Sequence, residues 1–279
     1  MPQRPLYRPA LMSYRALALD LDGTLLGPDD KVSPRNRRAV RAAVDAGWHV
    51  ILSTARWYEQ AERTAVELDL VDPVIACSGA EVRRRDGIEL FDERLPAAFA
   101  AELYEVCDRE AALAMVCQDR EVLLRMHRAP NTAQHPEIHW TERLVGVAMA
   151  RPRCALLFGD EFNALVLATL APRWGDDVRF LVSKNRAGAS VLTLTSSLAD
   201  KGRALRVACT DLGIAMGDVV AMGDSETDVE MFKVAGAGVA MGQATDEVQQ
   251  AATWVTATHA DDGVAVAIED LLSGARDPH

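Results

Sequence analysis

A chain of 279 residues, 49% hydrophobic and 25% charged, is long enough and apolar enough for one large domain or two smaller ones with a sizeable core. A net charge of −11 with no basic stripe excludes a general nucleic-acid binder, and no run reaches the ~18 apolar residues of a membrane span. The five cysteines form no CxxC pair and sit among apolar neighbours, which reads as reduced core thiols in a cytoplasmic protein.

Residues 1–12 carry three prolines and no apolar h-region, so a disordered leader is expected rather than a signal peptide, with Met12 as an alternative start. The apolar run 16–19 reads as a buried strand, and it ends in Asp20-Leu21-Asp22-Gly23-Thr24-Leu25. Ser33-Pro34 predicts an N-cap and first turn of a helix to about residue 46, closed by Gly47. A strand over 48–52, a helix over 57–68 and a strand over 74–77 follow, the last ending in Ser78-Gly79-Ala80. Strands alternating with helices predict a parallel sheet covered by helices, whose ligands lie beyond the carboxyl ends of the strands.

From about residue 82 the texture changes. A hairpin around Asp86-Gly87 is expected over 82–91, then a helix over 97–109 and strand-like residues over 114–126 with a turn at Asp119-Arg120. A polar loop is expected over 128–140, a strand over 154–158, a helix over 161–170, and strands at 180–182 and 191–195 around Asn185 and Gly188. This is an α+β insert of residues 83–195 within an α/β core of residues 13–82 and 196–279. The core resumes with Asp200 capping a helix from Lys201 to about Gly213. A strand over 219–222 then leads into Gly223-Asp224-Ser225-Glu226-Thr227-Asp228 and a helix to about Ala235. Strands at 238–241 and 254–255 and a helix over 263–272 complete the chain.

Four stretches at strand or helix ends carry candidate chemistry. Asp20 and Asp22 are two residues apart, a spacing that turns both carboxylates to one side of a strand; such a pair is costly unless a cation or proton is shared. Gly23 permits a sharp turn close to a ligand, although Asp-Gly is also a common plain turn. Thr54 ends the second strand with a hydroxyl able to donate to an oxyanion, or merely to cap a helix. Lys201, one of only four lysines, opens a helix where the macrodipole disfavours a cation, so an anion is expected beside it unless it is simply solvated. Asp224 and Asp228, four apart across a strand-to-helix turn, suit oxygen-rich Mg²⁺ binding as well as helix capping.

The stretches DLDGTLL, ILSTAR, ADKGRAL and GDSETDVEMF resemble, in order, the four motifs of the haloacid dehalogenase-like hydrolases. The tail GAGVAMGQATDEV…HADDGVAVAI resembles the Cof-type phosphatase branch with a type IIB cap. Ala55, Thr227, Gln243 and Ser78 depart from the residues usual there. The resemblance implies a Rossmann-like parallel-sheet core with an inserted α+β cap domain. It implies Asp20 as nucleophile, Asp22 as general acid/base, and Thr54 and Lys201 as catalytic partners. Asp22, Gly23, Thr54, Ala55, Arg56, Lys201 and Thr227 would bind phosphate and substrate. Asp20, Asp22 (through its main-chain carbonyl), Asp224 and Asp228 would hold Mg²⁺. The implied partner is a small-molecule phosphate ester, with no nucleic acid and no membrane, and the protein would be a monomer or homodimer. A sugar phosphomutase and a catalytically impaired binding protein are the rival readings.

Overall fold

The computed structural model describes residues 14–130, 135–184 and 188–275. The expected leader, part of the loop over 128–140 and Asn185 lie outside the described residues. In chain order the elements are β1 (Ala16–Leu19), α1 (Pro34–Asp45), β2 (His49–Ser53), α2 (Tyr58–Glu67), β3 (Val74–Ala76), β4 (Glu81–Arg83) and β5 (Glu89–Asp92). Then come α3 (Ala97–Arg109), β6 (Leu113–Cys117), β7 (Val122–Arg125), β8 (Ile138–Thr141), β9 (Cys154–Phe158), α4 (Asp160–Thr169) and α5 (Ala171–Trp174). The chain continues with β10 (Val178–Lys184), β11 (Ser190–Ser196), α6 (Lys201–Leu212), β12 (Val219–Gly223), α7 (Glu226–Phe232), β13 (Ala237–Ala240), α8 (Asp246–Ala251), β14 (Trp254–Val255) and α9 (Gly263–Ser273). It divides into two compact units, Met1–Leu52 with Cys209–His279, and Ser53–Ala208. The change of texture in the sequence draws the insert more narrowly, at residues 83–195.

In the first unit the strands run β14-β13-β12-β1-β2, every neighbouring pair parallel. β1 and β12 are buried along their whole length, as strands covered on both faces must be, and this is why they read as continuous apolar runs. The Ser33 hydroxyl accepts from the Asn36 N–H at 3.0 Å, and Pro34 fills the first helical position, so α1 starts where the sequence predicts. Buried Asn36 then donates to the Leu25 carbonyl at 3.1 Å and accepts from the Ala265 N–H at 3.0 Å. One amide thus ties α1 to the turn after β1 and to the start of α9, with both of its polar ends satisfied.

In the second unit β3, β4 and β5 form an antiparallel run, with the β4–β5 hairpin turning through Gly87 at φ +90°. A six-stranded sheet follows in the order β10-β11-β9-β6-β7-β8, antiparallel except for β7 and β8. Phe99, Leu103 and Cys107 of α3 pack with Val166, Leu170, Ala155, Leu157, Leu192 and Leu194 into one apolar core. Phe99 meets Trp174 and Phe180 edge-on, with centroids 5.7 and 5.9 Å apart, a geometry worth about 0.5–1.5 kcal/mol per pair beyond burial.

Arg153, fully buried just before β9, binds Asp92 at 2.8 Å, Glu89 at 2.7 Å and the carbonyls of Gln118 and Asp119. Buried Arg83 pairs with Glu81 and Glu89 and lies over the Tyr58 ring. These two guanidiniums fasten the β4–β5 hairpin to the sheet, with carboxylates and carbonyls supplying the partners that a buried cation requires.

Three expectations need correction. Residues 138–141 of the presumed loop form β8, whose ladder with β7 rests on hydrogen bonding rather than burial; Trp140 is 43% exposed. α7 stops at Phe232 instead of near Ala235, and residues 233–235 close it through turns onto Val229 and Met231. β10 and β11 are longer than the apolar runs at 180–182 and 191–195, because the pairing extends through Val178 and Arg179 at one end and through Ser183, Lys184 and Ser190 at the other.

Candidate active site

In the first unit the chain leaves β1 at Leu19 and turns at once. The Leu25 N–H returns to the Asp20 carbonyl at 3.2 Å and the Leu26 N–H to the Leu21 carbonyl at 2.9 Å. Because the strand ends before Asp20, the two-residue alternation does not reach Asp22. Asp20 is buried, and Asp22 is exposed. Asp20 converges with Asp224 and Asp228. These three residues each bring one carboxylate oxygen within 4.8 Å of the other two.

Local geometry explains how three acids are held so close. Gly23 has φ +82°, and a Cβ there would lie 2.2 Å from Asp224 Oδ2, so only glycine lets the turn pass Asp224. The Thr24 hydroxyl reaches Asp224 Oδ1 at 3.5 Å. Asp228 Oδ2 accepts from the Asp224 N–H at 3.1 Å, the Ser225 N–H at 2.9 Å and the Ser225 hydroxyl at 2.7 Å. Both readings of Asp228 thus hold together: it closes a capping box with Ser225 and belongs to the acidic trio. The Thr227 hydroxyl sits 2.9 Å from that of Ser225.

Two residues from the tail brace the turn after β1. The Gln243 amide donates to the Gly23 carbonyl at 2.6 Å and accepts from the His259 N–H at 3.0 Å. His259 Nδ1, carrying its proton, donates to the Leu26 carbonyl at 3.1 Å. The sequence pointed to Gln243 only through its departure from the usual asparagine; for Thr24 and His259 it carried no signal, since a hydroxyl in a turn and a histidine after a threonine are commonplace.

In the second unit Thr54 is fully buried. Its hydroxyl accepts from the Arg56 N–H at 3.1 Å, which leaves its own proton available to donate. The Thr54 carbonyl receives the Ser78 N–H at 3.0 Å, and the Arg56 carbonyl receives the Cys77 N–H at 2.8 Å. Ala55, between them, is exposed. Cys77, Ser78 and Gly79 all have positive φ, at 50°, 56° and 91°. A Cβ on Gly79 would stand 2.5 Å from the Asp200 carbonyl carbon and 2.6 Å from the Lys201 nitrogen, so this left-handed turn lies flat against the start of α6. Asp200 caps α6 through the Arg203 N–H at 2.7 Å. Lys201, in its first turn, is 1% exposed, a placement that demands anionic or acceptor company.

A family model described as haloacid dehalogenase-like hydrolase matches residues 17–268. The uracil phosphatase YwtE of Bacillus subtilis, which acts on 5-amino-6-(5-phospho-D-ribitylamino)uracil by name, is 29% identical over 93% of this chain and 99% of its own. A haloacid dehalogenase-like hydrolase from Bacteroides thetaiotaomicron superposes with a TM-score of 0.77 at 24% identity, covering 93% of this chain and 100% of the other. The subclass IIB sugar phosphatase BT4131 does so with a TM-score of 0.73 at 20% identity, covering 91% and 98%. The chain belongs to the haloacid dehalogenase-like hydrolases, in their Cof-type phosphatase branch.

Proposed function

We propose that this chain is a Mg²⁺-dependent phosphomonoester hydrolase that works through an aspartyl phosphate on Asp20 and acts on a small phosphorylated metabolite of the sugar or polyol phosphate class. The observation that carries the reading is the trio of Asp20, Asp224 and Asp228 at the ends of β1 and β12. Three close carboxylates form a hard, oxygen-only donor set with surplus negative charge, which fits a hard divalent cation and little else. Asp20, Asp224 and the main-chain carbonyl of Asp22 would hold the ion, with Asp228 fixing the Asp224 turn behind them. When bound, the ion would cancel the surplus charge and polarise a phosphoryl oxygen.

The chain's own residues carry the chemistry. The Asp20 carboxylate attacks phosphorus, and the phosphorus–oxygen ester bond breaks. Asp22 gives its proton to the departing alcohol, then takes one from the water that attacks the aspartyl phosphate. Inorganic phosphate leaves, and Asp20 is again a carboxylate. The Thr54 hydroxyl, the Lys201 ammonium, the Thr227 hydroxyl and the main-chain N–H groups at Gly23 and Ala55 hold the phosphoryl oxygens, with the Arg56 N–H orienting the Thr54 hydroxyl, so positioning and charge neutralisation supply most of the rate. Joining Thr54 and Lys201 to the carboxylates rests on the order of the four motifs within the matched family. Residues 83–195 would form the cap that selects the substrate. The phosphorylated ribityl chain in YwtE's name supports a polyol or sugar phosphate.

The test is phosphate release from a panel of sugar, polyol, nucleotide and amino-acid phosphates with Mg²⁺. Release from sugar or polyol phosphates is expected. No release from any ester, or isomerisation of a sugar phosphate without release, would overturn the reading.

A further inference from the structure

Three of the five cysteines converge on one point in the second unit. Cys117 on β6 and Cys154 on β9 are register partners across an antiparallel pair, and Cys77 opens the left-handed turn after β3. Their sulfurs all lie within 4.8 Å of one another, and each residue is at most 2% exposed. The other two, Cys107 and Cys209, are buried singly. Ala80, Val122 and Ala199 wall the trio, with Trp57, Met115, Ile138 and Leu156 packed against it. A small packing residue at the end of a strand has no need of a positive φ, yet Cys77 adopts φ +50°, a conformation that must be held against its own preference.

We propose that Cys77, Cys117 and Cys154 form a buried three-thiolate site for a soft, closed-shell cation of the Cu(I) type. Thiolates select soft ions. Metal–sulfur bonds of about 2.3 Å in a trigonal arrangement would place the sulfurs about 4 Å apart, within the spacing observed. Zn²⁺ prefers four ligands, and among the described residues no histidine or carboxylate joins the three sulfurs. The nearby Glu81 carboxylate is already engaged by Arg83 and Arg153. Binding is proton exchange alone: each sulfur that ligates loses its proton to solvent, copper enters and stays as Cu(I), and no electron is transferred. Hydrogen bonding among the three, burial and the Glu81 charge leave all three thiols well above their ordinary range, so the ion itself must displace their protons. The ion would pin three segments that are distant in sequence, the turn at 77, β6 and β9.

The experiment uses the full chain, anaerobic and fully reduced, loaded with Cu(I) and challenged with a chromogenic Cu(I) chelator. One equivalent is expected to be retained. In denaturant just strong enough for all five buried thiols of the unloaded chain to react, Cys77, Cys117 and Cys154 of the loaded chain should be shielded from alkylation, Cys107 and Cys209 should react as in the unloaded chain, and the melting temperature should rise. Cys117→Ser and Cys154→Ala should each weaken retention by at least about tenfold, whereas Cys107→Ser and Cys209→Ser should not. The alkylation pattern needs no variant, so it decides the matter even if a substitution prevents folding. Retention of less than about a tenth of an equivalent, shielding that ignores the trio, or retention of Zn²⁺ in preference to Cu(I) would overturn the proposal.

Discussion

Gly79 is a residue at which side-chain freedom and backbone shape meet tightly. Any Cβ there would lie 2.5 to 2.6 Å from the main chain of Asp200 and Lys201, and its φ of +91° is one that other residues adopt at a cost. Gly79→Ala should therefore destabilise the fold by more than about 1 kcal/mol and also lower turnover, because the start of α6 must shift. Equal melting temperature and rate in the variant would show that the turn gives way without moving Lys201. Glu81 offers a different kind of test. Burial pushes its carboxyl up to about 7 from an ordinary 4.5, with Arg153 and Arg83 pulling the other way. The folded chain then keeps a proton between those pH values that the unfolded chain releases. This contribution to stability is full below pH 4.5 and lost as pH rises through about 7, on the order of 3 kcal/mol across the window. Unfolding free energies of wild type and Glu81→Gln, measured from acid to neutral pH, should draw apart along that slope; parallel curves would contradict it.

At the scale of elements, much of the candidate site was legible because parallel strands advertise themselves. β1, β2 and β12 are short, mainly apolar runs, and the residues that follow β1 and β12, from Asp20 and Asp224 onward, stand where such sheets place ligands. The strand-end geometry was less legible. Alternation suggested that Asp20 and Asp22 share a face, but β1 stops at Leu19, so the two-residue period ends before either acid, and the acids that group with Asp20 are Asp224 and Asp228. Nor could local propensity announce the left-handed Cys77-Ser78-Gly79 turn, since two of its residues ordinarily avoid that conformation. The acidic trio leads to its own prediction. Mg²⁺ should raise the melting temperature of wild type, because an ion that binds only the folded cluster stabilises it. Asp224→Ala should abolish both that shift and Mg²⁺-dependent activity. Survival of both would return Asp224 and Asp228 to the role of helix caps.

At the scale of the molecule, the first unit follows from periodicity, capping and strand ends, and the family match over residues 17–268 agrees with the motifs that carried it. The second unit was harder to read for a physical reason. Its antiparallel strands are half-buried, β8 is exposed along much of its length, and its β4–β5 hairpin is held by buried guanidiniums whose charged residues look like surface residues in sequence. Substrate choice would reside there, in pairings that no local pattern encodes. The account as a whole stands on Asp20 acting as the nucleophile of a phosphatase. Its most direct test is the rate of phosphate release from the best ester of the panel, at saturating Mg²⁺, by wild type and Asp20→Asn of equal melting temperature. Wild type should release phosphate steadily and the variant none detectable, since an amide cannot form the aspartyl phosphate. Turnover by Asp20→Asn within about tenfold of wild type, barely 1.4 kcal/mol in barrier, would contradict it.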